Sequence, residues 1–235
     1  MKVVCAGTPL PQNFADGYVI PVRKPVGWTS FDVVAKVRRL VRPAKIGHAG
    51  TLDPLADGLL VLCTGRATKL VEILQGQRKT YEATYRVGAE TATDDADAPE
   101  SNVCDVSGLT LADVETALAR LRGEIMQLPP AFSALKKNGK RAYELARKGL
   151  DPGLAPRPVT VYRHEILAFE APERVRVVVE CSKGTYIRAL ARDAGNILGV
   201  GAYLAALTRT RSGDFNLADA WEIADLVPPR ENPGT

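Results

Sequence analysis

Two stretches of this 235-residue chain alternate apolar and polar side chains with a period of two. Between residues 78 and 87, Tyr81, Ala83, Tyr85 and Val87 fall on one side, and Thr80, Glu82, Thr84 and Arg86 on the other. Between residues 174 and 181, Val175, Val177, Val179 and Cys181 share a face. That is the period of a strand, and one apolar face per strand demands a second layer over the sheet. Residues 158–169 read as a partner for the second stretch, 18–22 as a short strand, 59–63 as a buried strand, and 202–215 as largely extended.

Helical spacing fills the intervals. Ser30 caps a helix to about residue 40, with Phe31, Val34 and Val37 as its apolar stripe. Residues 67–74 form a short helix. The helix over 110–122 starts at Thr110 with Asp113 at the capping-box distance, and turns Leu111, Val114, Leu118 and Leu121 inward. Residues 141–148 form a short helix ending at Gly149, the dipeptide Asn138-Gly139 marks a turn, and 185–198 present Ile187, Leu190, Ala191 and Ala194 to the core. A last short helix covers 217–226. No βαβ rhythm runs through this order. The fold expected is α+β, a mixed, mainly antiparallel sheet with peripheral helices. No break in composition divides residues 16–227. Residues 1–15, with Gly7, Pro9 and Pro11 and no period, read as an N-terminal tail or loosely docked arm, and 228–235 as a C-terminal tail.

Several function classes fall away. The longest uncharged run, 194–208, is too short and glycine-containing for a membrane span, and residues 1–6 are no secretory signal. Four cysteines without a CxxC spacing read as reduced thiols of a cytoplasmic protein, and with two histidines they leave no zinc pattern. Glycine patterns for phosphate or dinucleotide binding are missing, as is a nucleophile elbow. The net charge of +4 says little, but its distribution says more. Residues 136–148 carry six basic side chains, among them Lys136, Lys137, Lys140 and Arg141, against one acid, Glu144. Residues 90–105 carry six acids and no base. Asp94, Asp95 and Asp97 lack the Gly and Glu positions of a calcium loop, so a solvated loop is expected. The cationic segment suits a phosphate backbone or a solvated helix face.

The segment 47–58, Gly-His-Ala-Gly-Thr-Leu-Asp-Pro-Leu-Ala-Asp-Gly, has neither period. A long irregular stretch inside a compact domain is often functional, and Pro54 holds Asp53 in an extended backbone. An ordinary Asx turn is the alternative. Tyr81 sits on an alternating strand, and Tyr186 at a strand-to-helix junction two residues before Arg188. An aromatic there can stack on a base or fill a core, and an arginine can pair with a carboxylate or phosphate.

Five blocks, in order, resemble the TruB family of tRNA pseudouridine synthases. They are Lys24-Pro25-Val26-Gly27-Trp28-Thr29-Ser30; residues 47–69; Lys79-Thr80-Tyr81 through Asp97; Gln127-Leu128-Pro129-Pro130 through Gly149; and Cys181-Ser182-Lys183-Gly184-Thr185-Tyr186-Ile187-Arg188 through Arg209. The resemblance spans residues 22–215. It implies the pseudouridine synthase fold and isomerisation of a uridine at position 55 in the T loop of tRNA. The base must leave its stack to react. By the same resemblance Asp53 is the catalytic aspartate, acting as nucleophile or base, and His48 fills the vacated space. Tyr81 stacks on the flipped base, Tyr186 and Leu207 line the pocket, and Arg188 pairs with Asp53. Lys24 and Pro25 support the pocket, and residues 127–152 form an RNA-gripping thumb with Lys136, Lys137, Lys140 and Arg141 on the backbone. No cofactor or metal, no guide RNA and no protein partner is expected, and the chain is expected to act as a monomer on the T arm. Ala49, Phe132 and Ala92 stand where the family commonly has Thr, Tyr and Asp. Bacterial members often continue into a PUA domain, whereas this chain stops at Thr235, which implies catalysis without that grip on the acceptor end.

Three other readings stand beside this one. They are a guide-dependent relative, a chaperone that binds the T arm without chemistry, and a base-releasing glycosidase that pairs Asp53 with Asp57.

Overall fold

The computed structural model of the chain describes residues 1–43, 45–137, 139–170 and 173–227. In chain order the regular elements are β1 (Val19–Lys24), α1 (Ser30–Val41), β2 (Ile46–His48), β3 (Asp57–Thr64), α2 (Val71–Gly76) and β4 (Lys79–Val87). Then come β5 (Glu90–Thr91), β6 (Glu100–Ser101), α3 (Leu111–Ala119), β7 (Gly123–Gln127), β8 (Lys136–Lys137), β9 (Lys140–Arg141) and α4 (Ala142–Ala146). The last are β10 (Arg157–Glu170), β11 (Arg174–Cys181), α5 (Ile187–Leu198), β12 (Ala202–Ser212) and β13 (Phe215–Asn216). The pairing is mainly antiparallel with one parallel pair, so the α+β expectation holds.

Two compact units emerge, Met1–Thr80 with Thr208–Thr235, and Tyr81–Leu207. Composition gives no sign of this division, because both boundaries fall inside strands, β4 and β12.

The first unit is built around β3, flanked by β1 antiparallel and by the end of β12 parallel. Leu60 and Leu62 join Ile20, Val22, Val33 and Val37 in one core, while Leu59, Val61 and Cys63 join Val19, Leu74 and Phe215 in another. A strand covered on both faces has no reason to alternate, which explains the continuous apolar run. The cap of α1 is Thr29 rather than Ser30: Thr29 Oγ1 accepts from the Asp32 amide while the Asp32 carboxylate accepts from the Thr29 amide. The buried stripe is therefore Val33, Val34, Val37 and Val41, and Phe31 points outward at 71% exposure.

Three further expectations for this unit need correction. The irregular stretch before residue 58 contains β2, which at three residues is too short to show a period. Residues 1–15 are a docked arm rather than a free tail: Val3 bridges Val19, the Val4 amide donates to Val19 O, and Val4 and Phe14 are buried. Residues 217–226 are two 3-10 turns, not a helix. The Trp221 between them pairs with the edge of β1, donating to Pro21 O and accepting from the Arg23 amide.

In the second unit the strand order is β12-β4-β11-β10-β7. Tyr81, Ala83, Tyr85 and Val87 are buried along β4, and Val175, Val177, Val179 and Cys181 along β11, as their alternation requires. Thr110 and Asp113 form the expected capping box on α3. That helix stops at Ala119, because Gly123–Gln127 pairs antiparallel with β10. Asn138 of the expected turn and the tail 228–235 lie outside the described residues.

Candidate active site

Asp53 lies in the first unit, half-buried, at the head of a turn in which the Ala56 amide donates to the Asp53 carbonyl. Its neighbours are fixed from three directions. Ser30, buried at the start of α1, donates to Leu52 O and accepts from the Leu52 amide, so one hydroxyl holds both backbone groups of the preceding residue. Lys24 is fully buried, and its Nζ donates to Pro25 O, Trp28 O and Pro54 O at 2.8, 2.6 and 3.4 Å. Those are all the protons an ammonium has. Burial lowers its pKa, and the charges of Asp57 and Asp53 work against that loss. Arg209, 1% exposed, donates to Leu59 O, Thr51 O and Gly50 O at 2.7, 3.3 and 3.1 Å.

Gly58 makes this arrangement possible. Its φ of +102° brings β12 so close that a Cβ would lie 2.5 Å from Arg209 O. The expected supports Lys24 and Pro25 thus stand beside the Asp53 turn. His48, at the end of β2, is half-buried, and burial, then the Arg209 charge, lowers its pKa, leaving the imidazole neutral near pH 7. Both oxygens of Asp57, the other carboxylate of this segment, are hydrogen-bonded. One oxygen accepts from Thr208 Oγ1 at 2.5 Å and the other from Arg23 Nη2 at 3.1 Å.

The second unit carries the remaining candidates. Tyr81 on β4 and Leu207 on β12 are buried side chains, and Tyr186 is half-buried at the N-cap of α5. Fully buried Gln127 accepts from the Tyr186 amide at 2.8 Å and donates to Tyr186 O at 3.1 Å, while the Arg157 guanidinium lies 5.1 Å from the Tyr186 ring centre. Arg188, 5% exposed, meets the carboxylate of buried Asp95 at 3.2 Å and donates to Thr93 O and Phe132 O. Arg192, one turn on, meets Asp94 at 2.8 Å. The acidic loop is therefore not simply solvated: three of its carboxylates take arginine partners, Glu100 meeting Arg86 at 3.4 Å.

In the basic segment, β8 and β9 form a ribbon that sets Lys136 across from Arg141 and Lys137 across from Lys140. The backbone register thus sets Lys136 and Arg141, both exposed, as a cross-strand pair of like charge. Lys136, Lys140 and Arg141 are exposed, and Arg141 and Arg147 flank the Tyr143 ring at 5.9 and 5.5 Å. The Lys137 side chain lies outside the described residues.

Sequence reading missed Ser30, Gln127, Asp95, Arg192 and Arg209 as site builders. All hold backbone or charge over long sequence separations, which no local pattern reports. Among the described residues no three His, Cys, Asp or Glu side chains gather as a metal site.

The profile for TruB family pseudouridylate synthase (N terminal domain) matches residues 38–187, and that for the tRNA pseudouridylate synthase B C-terminal domain matches 188–229. The tRNA pseudouridine synthase B of Mycobacteroides abscessus is 50% identical over 215 residues, covering 90% of this chain and 72% of the relative. That of Arthrobacter sp. is 48% identical over 221 residues, covering 92% and 72%. Among solved structures, the archaeal box H/ACA sRNP Nop10–Cbf5 complex aligns with a TM-score of 0.68 at 30% identity, over 94% of this chain and 56% of the other. A Cbf5–Nop10–Gar1 complex aligns at 0.66 and 32%, over 88% and 52%. The chain thus spans about half the length of those solved chains. With half to two thirds of its length under one family profile and near-half identity to full relatives, this chain belongs to the TruB family of pseudouridylate synthases.

Proposed function

We propose that this chain isomerises uridine to pseudouridine at position 55 in the T loop of tRNA, with Asp53 as the catalytic carboxylate. The observation that carries the reading is the clamp around Asp53. Two buried cations and one serine hold the carbonyls on both sides of it, so the carboxylate is presented on a backbone that does not have to reorganise.

The reaction breaks the bond between uracil N1 and the ribose C1′, turns the base and joins C5 to C1′. The proton lost from C5 balances the one gained at N1. An ionised Asp53 serves it by attacking the sugar or by taking that proton, and both routes need the charge. Arg188 is the cation that keeps Asp53 ionised and oriented in this proposal. Tyr81 stacks on the extruded base, Tyr186 and Leu207 wall the pocket, and neutral His48 occupies the space the base leaves. Lys24 and Pro25 support the Asp53 turn, and Lys136, Lys137, Lys140 and Arg141 grip phosphates. The bacterial relatives are named for tRNA, which favours action on free tRNA over a guide-dependent enzyme, and the chain is proposed to act as a monomer. No helix among the described residues is long and apolar enough to cross a membrane, which accords with action on cytoplasmic tRNA.

The test is tritium release from an unmodified tRNA transcript labelled at uracil C5, in EDTA and without any other RNA or protein. Wild type should release tritium, and Asp53→Asn should release none while still binding the T arm. Equal release by the two would remove Asp53 from the mechanism. Binding without release by wild type would favour a chaperone or a required partner.

A further inference from the structure

Arg188 and Arg192 lie one turn apart on α5, and their guanidinium groups span the same two segments. Arg188 donates from one terminal nitrogen to Thr93 O and from the other to Phe132 O. Arg192 donates from Nη1 to the Asp94 carboxylate and from Nη2 to Leu128 O, while Nε and Nη2 also meet Asp193. Both arginines thus tie the acidic loop to the stretch 128–132. That stretch contains Pro129 and Pro130, which have no amide to tie it with. Arginine, with a rigid fork of donors, is suited to bridging two acceptors.

The acidic loop needs the second tie. Asp94 takes a left-handed backbone, φ +59°, unusual for a residue other than glycine. Burial pushes its carboxyl pKa up, and the Arg192 charge opposes that rise. The next residue, Asp95, is 2% exposed. One of its oxygens accepts from Thr93 Oγ1 and the Asp97 amide, which leaves the other turned to Arg188 at 3.2 Å. The conformation of Asp94 therefore sets where the Asp95 carboxylate meets Arg188.

We infer that Arg192 is a positioning residue: by holding Asp94 in its left-handed turn and Leu128 at the base of the basic segment, it fixes the Asp95 carboxylate that orients Arg188. This rests on the synthase reading and on the role given there to Arg188. Arg192 touches no reacting atom, so its loss should slow the chemical step and leave tRNA capture nearly intact.

The experiment compares wild type, Arg192→Gln, Arg192→Lys and Val175→Ala on the tritiated transcript, measuring single-turnover release at saturating enzyme and the Kd by filter binding. Val175, fully buried on β11, supplies a loss of thermal stability from a different element than the helix that carries both arginines. Arg192→Gln should slow release about tenfold with Kd changed less than about threefold, Arg192→Lys should fall between it and wild type, and Val175→Ala should keep the wild-type rate. Should Arg192→Gln not fold, Arg192→Lys and Asp94→Asn must both be slower than Val175→Ala. Release by Arg192→Gln at the wild-type rate, or equal slowing in Val175→Ala, overturns the inference alone. No release from wild type sinks the synthase reading, and this inference with it.

Discussion

The loop that carries Asp53 and the loop that carries Asp94 and Asp95 are both held by a pair of cations, but the cations grip different atoms. Around Asp53, Lys24 and Arg209 direct their donors at carbonyl oxygens. In the acidic loop, Arg188 and Arg192 grip carboxylates as well as carbonyls. A carbonyl does not titrate, so the first clamp keeps its acceptors at any pH at which its cations persist. A carboxylate clamp is charge-assisted and stronger per contact, and it fails when its acid is protonated. The first design suits a segment whose own aspartate is the proposed catalytic carboxylate and has to keep its charge. The second suits a loop whose aspartates serve to place an arginine.

The most severe way to break the first clamp is Arg209→Met. It leaves Gly50 O, Thr51 O and Leu59 O without their donor in a site 1% exposed. Removing a buried cation from several acceptors costs about 4 kcal/mol. Urea denaturation should show that loss, and tritium release should fall at least as far, because the Asp53 turn loses its support. A variant with wild-type stability would mean that the three carbonyls are served by something other than Arg209.

Acid probes the second unit. His164 on β10 is fully buried, its Nε2 lies 3.1 Å from the Tyr85 hydroxyl, and its Nδ1 has no partner among the described residues. Burial, with the Arg122 charge adding to it, pushes its pKa down to about 3. The unfolded chain then binds a proton that the folded one refuses. The stabilising contribution is therefore complete above the ordinary histidine value near 6.5 and is lost as pH falls toward 3. Between pH 6.5 and 4.5 the wild type should lose about 2.3 kcal/mol more than His164→Gln, because half of the unfolded histidines are already protonated at pH 6.5 and the full slope of about 1.36 kcal/mol per pH unit is reached only below it. His48, also depressed, acts with the same sign in both proteins and cancels in the difference. Parallel pH profiles for the two proteins would show that His164 binds its proton as readily in the folded chain as in the unfolded one.

Much of this was legible in the chain and some was not, for physical reasons. The alternation in β4 and β11 is local and survived into the structure because each strand has one covered face. The Thr110 cap was readable because its partner is three residues away. The Ser30 cap was misplaced by one residue, since Thr29 and Ser30 are equally good cap formers and only the position of Asp32 chooses between them. Asp53 stood out through its prolyl neighbour and the glycines around it. Arg209 and Gln127 did not, because what they hold lies 150 and 59 residues away. The division into two units was invisible for a related reason: a boundary inside a continuous strand leaves no linker to read.

The smallest expected effects come from a device the two regions share, a single side chain that holds both backbone groups of one residue. Gln127 does this for Tyr186, and Ser30 for Leu52, the residue before Asp53. Gln127→Met keeps the volume and leaves the Tyr186 amide unpaired, while the Tyr186 carbonyl still accepts from the Leu190 amide, which should cost about 2 kcal/mol. Ser30→Ala removes only a hydroxyl and should cost about 1 kcal/mol, because Lys24 and Arg209 still hold the flanking carbonyls. The ranking in function should be the same if the two devices are equivalent. If the clamp around Asp53 is the more demanding one, Ser30→Ala will slow tritium release more than Gln127→Met despite its smaller loss of stability. Measuring both variants by urea denaturation and single-turnover release separates these outcomes. A crossed ranking would place the tighter geometric tolerance at the carboxylate, and a parallel one would place the same tolerance on the Tyr186 side.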